Sequence, residues 1–132
     1  MSDSDPSKKR ALVIEDEPVI GRLCRKILTA EGFEVDIASN GLAAKGMADK
    51  TVYDLYLSDI RTPVMNGIEF YRHLKEQHPE LAERVIFTTG DVMSADVRTL
   101  LEEFKGTFVP KPFTPDELRI AVKEAQLDCT KR

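Results

Sequence analysis

Five short apolar runs, separated by stretches with helical periodicity, organise the chain. The runs are Ala11 to Ile14, Glu34 to Ala38, Asp54 to Ser58, Val85 to Thr88 and Thr107 to Val109. The first, third and fourth are compact and apolar or aromatic, as expected of strands covered on both faces. Ile20, Leu23, Cys24, Ile27 and Leu28 fall at i, i+3, i+4, i+7 and i+8, one stripe of a helix. Leu42, Ala43, Met47 and Ala48 mark a weaker second helix, with Gly46 lowering its propensity. Ile68, Tyr71 and Leu74 mark a third, and Val97, Leu100, Leu101 and Phe104 a fourth. Leu118, Ala121, Val122 and Ala125 mark the fifth, which Thr114-Pro115-Asp116-Glu117 starts with a capping threonine, a proline at the first helical position and a glutamate at the third. Gly32, Gly41 and Gly106 fall near element ends, where positive φ is tolerated.

Strand and helix alternate five times. That order predicts an α/β, doubly wound domain: a parallel sheet with helices on both faces and right-handed crossovers. In such sheets ligands bind at the carboxyl ends of the strands, where the winding direction switches. The residues that follow each strand therefore carry the functional question.

Composition narrows the class. The 132 residues are 42% apolar and 32% charged, a globular balance for one domain. The domain is expected over residues 9–127, with 1–8 a disordered arm and 128–132 a tail. Nineteen basic against 23 acidic residues give −4, a poor basis for holding nucleic acid or an anionic membrane through bulk charge. No apolar run approaches the roughly 20 residues a bilayer requires, and no apolar segment follows Lys8-Lys9-Arg10 as a secretory signal would need. Cys24 and Cys129 form no metal-ligand spacing and suit a reducing cytoplasm, with Cys24 in the core and Cys129 in the tail.

Four strands deliver chemistry to one rim. Glu15, Asp16 and Glu17 follow the first, Asp59 the third, Thr89, Gly90 and Asp91 the fourth, and Pro110, Lys111 and Pro112 the fifth. Singly, each has a plain structural role: acids complement a helix N-terminus, a threonine caps, a lysine is solvated. Those roles do not explain why acids gather after strands one and three while a lysine follows strand five. Carboxylates crowded in a cleft repel unless a cation sits among them, and oxygen-only ligands favour a hard ion such as Mg²⁺ (or Mn²⁺). Glu15, Asp16 and Asp59 with Mg²⁺ and Lys111 sum to near neutrality. An acyl phosphate on Asp59 would add negative charge that Thr89, backbone N–H groups and Lys111 can meet.

These residues resemble the receiver (response regulator) domain of two-component signalling systems, in its single-domain form. The resemblance runs from about Lys9 to Leu127. It rests on Leu12-Val13-Ile14-Glu15-Asp16-Glu17, on Leu57 to Gly67 around Asp59, on Val85-Ile86-Phe87-Thr88-Thr89-Gly90 and on Phe108-Val109-Pro110-Lys111-Pro112-Phe113. Thr89 lies 30 residues after Asp59, and Lys111 lies 22 after Thr89. The resemblance implies a flavodoxin-like (βα)5 fold with strand order 2-1-3-4-5. It implies Asp59 as phosphoacceptor, and Glu15, Asp16, Asp59 and the backbone carbonyl of Arg61 as the metal set. Thr89 and Phe108 would be switch residues, Lys111 a phosphate contact, and the Lys111-Pro112 bond cis. The donor would be a sensor histidine kinase or a histidine phosphotransfer protein. A downstream protein would read the face of the fourth helix, fifth strand and fifth helix, at residues such as Val92, Met93, Val97 and Arg98, a face through which a homodimer is also open.

The departures are Glu15 where aspartate is more usual, Thr62 for a common methionine, and Asn66 where aspartate precedes the glycine. Arg61 and Asp91, each two residues past a site residue, are expected to form an ion pair over the phosphoryl group that slows its hydrolysis. The domain is expected to signal by protein contact rather than to act as an enzyme on other molecules. It is read as a stand-alone cytoplasmic chain, with a fragment of a longer DNA-binding regulator as the alternative. An aspartate-nucleophile phosphatase would want an acid where Arg61 stands, and the complete Asp59, Thr89 and Lys111 set argues against a phosphorylation-independent interaction module on this fold.

Overall fold

The computed structural model describes residues 8–90, 94–104 and 106–130. The chain folds as β1 (Lys9–Ile14), α1 (Pro18–Ala30), β2 (Phe33–Ala38), α2 (Gly41–Lys50), β3 (Leu55–Asp59), α3 (Gly67–Gln77), β4 (Val85–Thr89), α4 (Ala95–Glu103), β5 (Thr107–Pro110) and α5 (Pro115–Thr130), with a short 3₁₀ turn at Ala82–Arg84. All neighbouring strands pair in parallel, in the order β2-β1-β3-β4-β5. This is the flavodoxin-like arrangement that the alternation and the resemblance lead one to expect.

Local chemistry sets the helix starts. Asn40 accepts from the Ala43 N–H at 2.8 Å and opens α2. Asn66 and Glu69 form a full capping box at α3, with bonds of 2.9 and 3.0 Å. Thr114 and Glu117 do the same before α5, at 3.1 and 2.8 Å. Pro18 occupies the first position of α1, where its missing N–H costs nothing.

The sheet separates two cores. On one face Leu12, Ile14, Tyr56 and Phe87 pack with residues of α2, α3 and α4. Tyr71, Phe87 and Phe104 stack edge to face there, with centroids 4.7 to 5.4 Å apart, each pair worth about 0.5–1.5 kcal/mol beyond its buried area. On the other face Val13, Leu57, Ile86 and Val109 meet α1 and α5. All five β3 residues and all five β4 residues are buried, as their composition predicts.

Several expectations change in detail. The buried side of α2 is Gly41, Ala44 and Ala48; Leu42 is 52% exposed and Ala43 is on the outer face, because small residues let α2 approach the β3–α3 loop. Val97 faces the core rather than an output surface, with no exposed area, while Arg98 is exposed. Among the described glycines only Gly32 has positive φ, at 97°. Gly41 serves close approach: a Cβ there would sit 2.3 Å from the Met65 carbonyl oxygen. A side chain at Gly106 would instead meet the Phe104 ring. Cys24 is buried as expected, and burial pushes its thiol up to about 12. The helix α5 continues to Thr130, into the stretch expected as a tail. Residues 1–7 of the expected arm, and Asp91, Val92 and Met93, lie outside the described residues.

Candidate functional site

The parallel sheet brings the ends of β1, β3, β4 and β5 to one edge, and the strands reach it with their functional residues in place. Asp59 and Thr89 are the last residues of β3 and β4 rather than the first of the loops, so rigid backbone pairing fixes both. Glu15 follows β1 directly, and its N–H is held by the Ala38 carbonyl at 3.0 Å. Lys111 follows β5, with its N–H on the Thr89 carbonyl at 2.9 Å. The Lys111–Pro112 bond is cis.

Glu15, Asp16 and Asp59 each present a carboxylate oxygen within 4.8 Å of the others. Glu15 and Asp59 are buried, at 5% and 6% exposure, and Asp16 is exposed. The Lys111 ammonium donates to Glu15 Oε1 at 2.8 Å and to Asp59 Oδ2 at 3.0 Å. Its contact with the exposed Glu17 is looser, at 4.0 Å. The second Asp59 oxygen accepts the Arg61 backbone N–H at 3.2 Å. A cleft of about 420 Å³ opens over this group, lined by Asp16, Glu17, Asp59, Arg61, Thr89, Gly90 and Lys111. Five of the sequence-derived site residues thus surround one open space, and Glu15 joins them through its bond to Lys111.

Burial raises the Glu15 carboxyl above its ordinary range; the Lys111 hydrogen bond opposes this, and the nearby Asp59 charge reinforces it. Burial alone would lower the Lys111 ammonium, but its bonds to Glu15 and Asp59 outweigh that and raise it. The two directions agree physically: an ammonium holds two buried carboxylates together, and the more buried carboxylate resists its charge. A donor set made only of oxygens fits a hard divalent cation, which would add positive charge where one ammonium now serves two acids.

The β3–α3 loop is anchored at several points. Gly67 donates to the Ile60 carbonyl at 2.9 Å, and the Met65 carbonyl accepts from Gly41 N–H and Thr62 Oγ1 at 2.8 and 2.9 Å. A Cβ at Gly67 would lie 2.4 Å from the Asp59 carbonyl oxygen, so only glycine lets α3 begin against the end of β3. Val64 turns through φ 68°, an unusual value for a β-branched residue.

Thr89 is 1% exposed and shares a sheet face with Phe87 and Phe108, since Phe87 pairs with Phe108 one rung away. The Phe108 ring is half-buried against the core on the α4 side. Arg61 turns its guanidinium to α4, donating to both Asp96 oxygens at 3.0 and 2.8 Å and to Ser94 Oγ at 2.6 Å. The arginine holds the Asp96 carboxyl down at about 2. Asp91, the expected partner of Arg61, lies outside the described residues. Ser94 and Asp96 were not among the sequence-derived site residues; the polar start of helix four, Ser94-Ala95-Asp96, was the one signal for them.

A second cleft, of about 460 Å³, adjoins the first and shares Gly90 and Lys111 with it; Ile20, Leu23, Pro112 and Phe113 make it apolar. Among the described residues no helix is long and apolar enough to cross a membrane.

Comparison with known proteins agrees with this geometry. The family model described as response regulator receiver domain matches residues 11–123. The chain is 33% identical over 115 residues to the transcriptional regulatory protein PcoR of Escherichia coli, covering 87% of this chain and 50% of PcoR. It is 33% identical over 118 residues to the probable transcriptional regulator ycf29 of Porphyra purpurea, covering 85% of this chain and 54% of ycf29. The chain therefore spans about half the length of these relatives. A CheY-like receiver domain protein from Methanospirillum hungatei superposes with a TM-score of 0.85 at 28% identity, over 95% of this chain and 98% of that one. The receiver domain of the sensor histidine kinase PA1611 from Pseudomonas aeruginosa, solved with magnesium coordinated in its active-site cleft, superposes at 0.77 with 27% identity, over 90% of this chain and 98% of that one. With a matching family model over most of its length, and an acidic cleft at the edge of a 2-1-3-4-5 sheet, the chain belongs to the response regulator receiver domain family.

Proposed function

We propose that Asp59 accepts a phosphoryl group from a sensor histidine kinase or histidine phosphotransfer protein, and that the phosphorylated domain signals by changing shape. The observation that carries this reading is Lys111. Its ammonium bridges the buried Glu15 and Asp59 at the mouth of an open cleft, a costly arrangement that a packed core would not need.

In the proposed step an Asp59 oxygen attacks phosphorus in line. The new oxygen–phosphorus bond forms as the phosphorus–nitrogen bond to the donor imidazole breaks, and the electron pair leaves with the imidazole. Lys111 Nζ, 3.0 Å from Asp59 Oδ2, neutralises charge on the transferring group. The Arg61 backbone N–H, on Asp59 Oδ1, orients the carboxylate. Glu15, Asp16 and Asp59, with the Arg61 carbonyl, would hold Mg²⁺, which supplies further charge neutralisation on the phosphoryl oxygens. The apolar cleft beside Lys111 offers the donor protein a footing next to the reacting atoms.

The output follows from the shared sheet face. The Thr89 hydroxyl moves to the phosphoryl group, and Phe108 fills the space behind it, shifting α4, β5 and α5 in a population-weighted switch. A cytoplasmic protein partner reads that face. Because its relatives are about twice as long, the domain is also consistent with serving as the receiver of a longer DNA-binding regulator.

The test is labelling by acetyl phosphate with and without Mg²⁺, followed by turnover on a generic phosphomonoester. The reading expects Mg²⁺-dependent, base-labile label and negligible turnover of the phosphomonoester. Rapid turnover would instead favour a phosphatase. Label that survives acid would place the phosphate on a hydroxyl and contradict an acyl phosphate.

A further inference from the structure

We propose that Arg61 is a latch whose guanidinium holds the start of α4 in one arrangement and lets it adopt a second when Asp59 is phosphorylated. The proposal rests on the reading of Asp59 as the phosphoacceptor.

The connection is short. The Arg61 backbone N–H donates to Asp59 Oδ1 at 3.2 Å, so the residue is tied to the reacting carboxylate. Its side chain runs to α4, where the guanidinium forks onto Asp96 and donates to Ser94 Oγ at 2.6 Å. One residue therefore joins the phosphoacceptor to the helix that packs on the Thr89 and Phe108 face. Its main chain and side chain do the two jobs.

The start of α4 has an unspent alternative. Ser94 is its N-cap residue, with extended backbone at φ −70° and ψ 150°, yet its side chain makes no capping bond. Its hydroxyl accepts from Arg61 instead, and also bonds the Asp96 carboxylate. The Val97 N–H, which a serine N-cap would ordinarily receive, donates to Asp96 Oδ1 at 3.0 Å. If the guanidinium leaves, Ser94 Oγ is open to the Val97 N–H, and Asp96 loses the charge that fixed both of its oxygens. The segment thus has two hydrogen-bonded arrangements, which differ in the partner of the Val97 amide and in whether Arg61 holds Ser94 and Asp96.

Phosphorylation biases the choice. It replaces one negative charge on Asp59 by roughly two and adds phosphoryl oxygens suited to an arginine fork. The competing Arg61–Asp96 pair is exposed, at 41% and 51% of the two side chains, and so is easily exchanged. The guanidinium is attracted to the phosphoryl group, and α4 re-forms its first turn around Ser94. Asp96 and Ser94 are positioning residues in this scheme and touch no reacting atom.

The test uses the whole chain, acetyl phosphate with Mg²⁺, and the Val97 amide resonance. In the wild type, phosphorylation moves that resonance. In Asp96→Asn, which keeps an oxygen for Val97 but removes the charge that holds Arg61, the unmodified protein already sits part-way to that position. It also binds beryllofluoride with Mg²⁺ roughly 1.4- to 5-fold more tightly than the wild type. In Ser94→Ala, which lacks the alternative cap, first-turn amides of α4 exchange faster after phosphorylation than in the phosphorylated wild type. A Val97 resonance unmoved by Asp59 phosphorylation, or an Asp96→Asn variant with unchanged or weaker beryllofluoride binding, would overturn the latch while leaving the phosphoacceptor intact. Absence of label on wild-type Asp59 would overturn that reading and the latch together.

Discussion

Replacing Lys111 by methionine removes the ammonium while keeping an unbranched side chain of similar length. In the folded chain this ammonium donates to Glu15 at 2.8 Å and Asp59 at 3.0 Å, and the two acid side chains are only 3% and 7% exposed. Each charge-assisted bond is worth about 1.5–3 kcal/mol, and stranding a buried charge costs about 3–5 kcal/mol. Glu15 can relieve part of this by taking up a proton, at about 1.4 kcal/mol per pKa unit. The net loss expected at pH 8 without divalent metal is about 2–4 kcal/mol, or roughly 10 °C in Tm for a domain of this size. The sign of the pH dependence follows. Without Lys111, burial and the neighbouring Asp59 charge act on Glu15 unopposed and hold its carboxyl above the unfolded value, so the folded state holds an extra proton. Stability then falls as pH rises through the raised value, and the deficit is larger at pH 8 than at pH 5. Saturating Mg²⁺ recovers part of it, by about 2.7 kcal/mol at a hundred times Kd. Urea unfolding followed by circular dichroism, at both pH values and with EDTA or Mg²⁺, reads all three effects. A deficit below about 0.5 kcal/mol at pH 8, or one equal at pH 5 and pH 8, would refute the reasoning.

Three further outcomes are expected. Gly67→Ala places a Cβ 2.4 Å from the Asp59 carbonyl oxygen, so it should cost about 1–3 kcal/mol in urea unfolding and slow acetyl phosphate labelling, because Asp59 moves with that backbone. Val64→Asn should stabilise by about 0.5–1.5 kcal/mol, since φ 68° is costly for valine and tolerated by asparagine; a raised urea midpoint at unchanged m confirms it, and a lowered one contradicts it. Because the Glu15 carboxyl is raised by burial, Mg²⁺ affinity measured by titration calorimetry should start to fall, as pH is lowered, above the ordinary carboxylate range; a constant affinity down to that range would contradict the placement of Glu15 in the site.

The fold was legible because each strand carries its own apolar run and the helices carry stripes. Leu118, Ala121, Val122 and Ala125, read as one face of α5, are all buried. The site was legible for a topological reason: a doubly wound sheet turns residues distant in sequence into neighbours at its carboxyl edge, so Glu15, Asp59, Thr89 and Lys111 needed only correct strand ends. What periodicity did not carry was contact between loops and helices. Gly41 read as an element-end glycine and Gly67 only as the end of the Asp59 motif, yet their task is to let backbone approach Met65 and Asp59. Asn66 stood out only as a departure from the family's aspartate, yet it caps α3 in a two-way box with Glu69. Val97 satisfied a helical stripe and also a family output surface, and packing chose the stripe. Arg61 offered no pattern pointing to Asp96, because that pairing depends on how α4 sits beside the β3–α3 loop.

The central claim is that Asp59 carries the phosphoryl group. The most direct measurement is peptide mapping of the wild type and Asp59→Asn after acetyl phosphate and Mg²⁺, with the acyl phosphate trapped by reduction. The account predicts the modification on Asp59 in the wild type and none in the variant. A modification on another residue, or equal incorporation by Asp59→Asn, would contradict it.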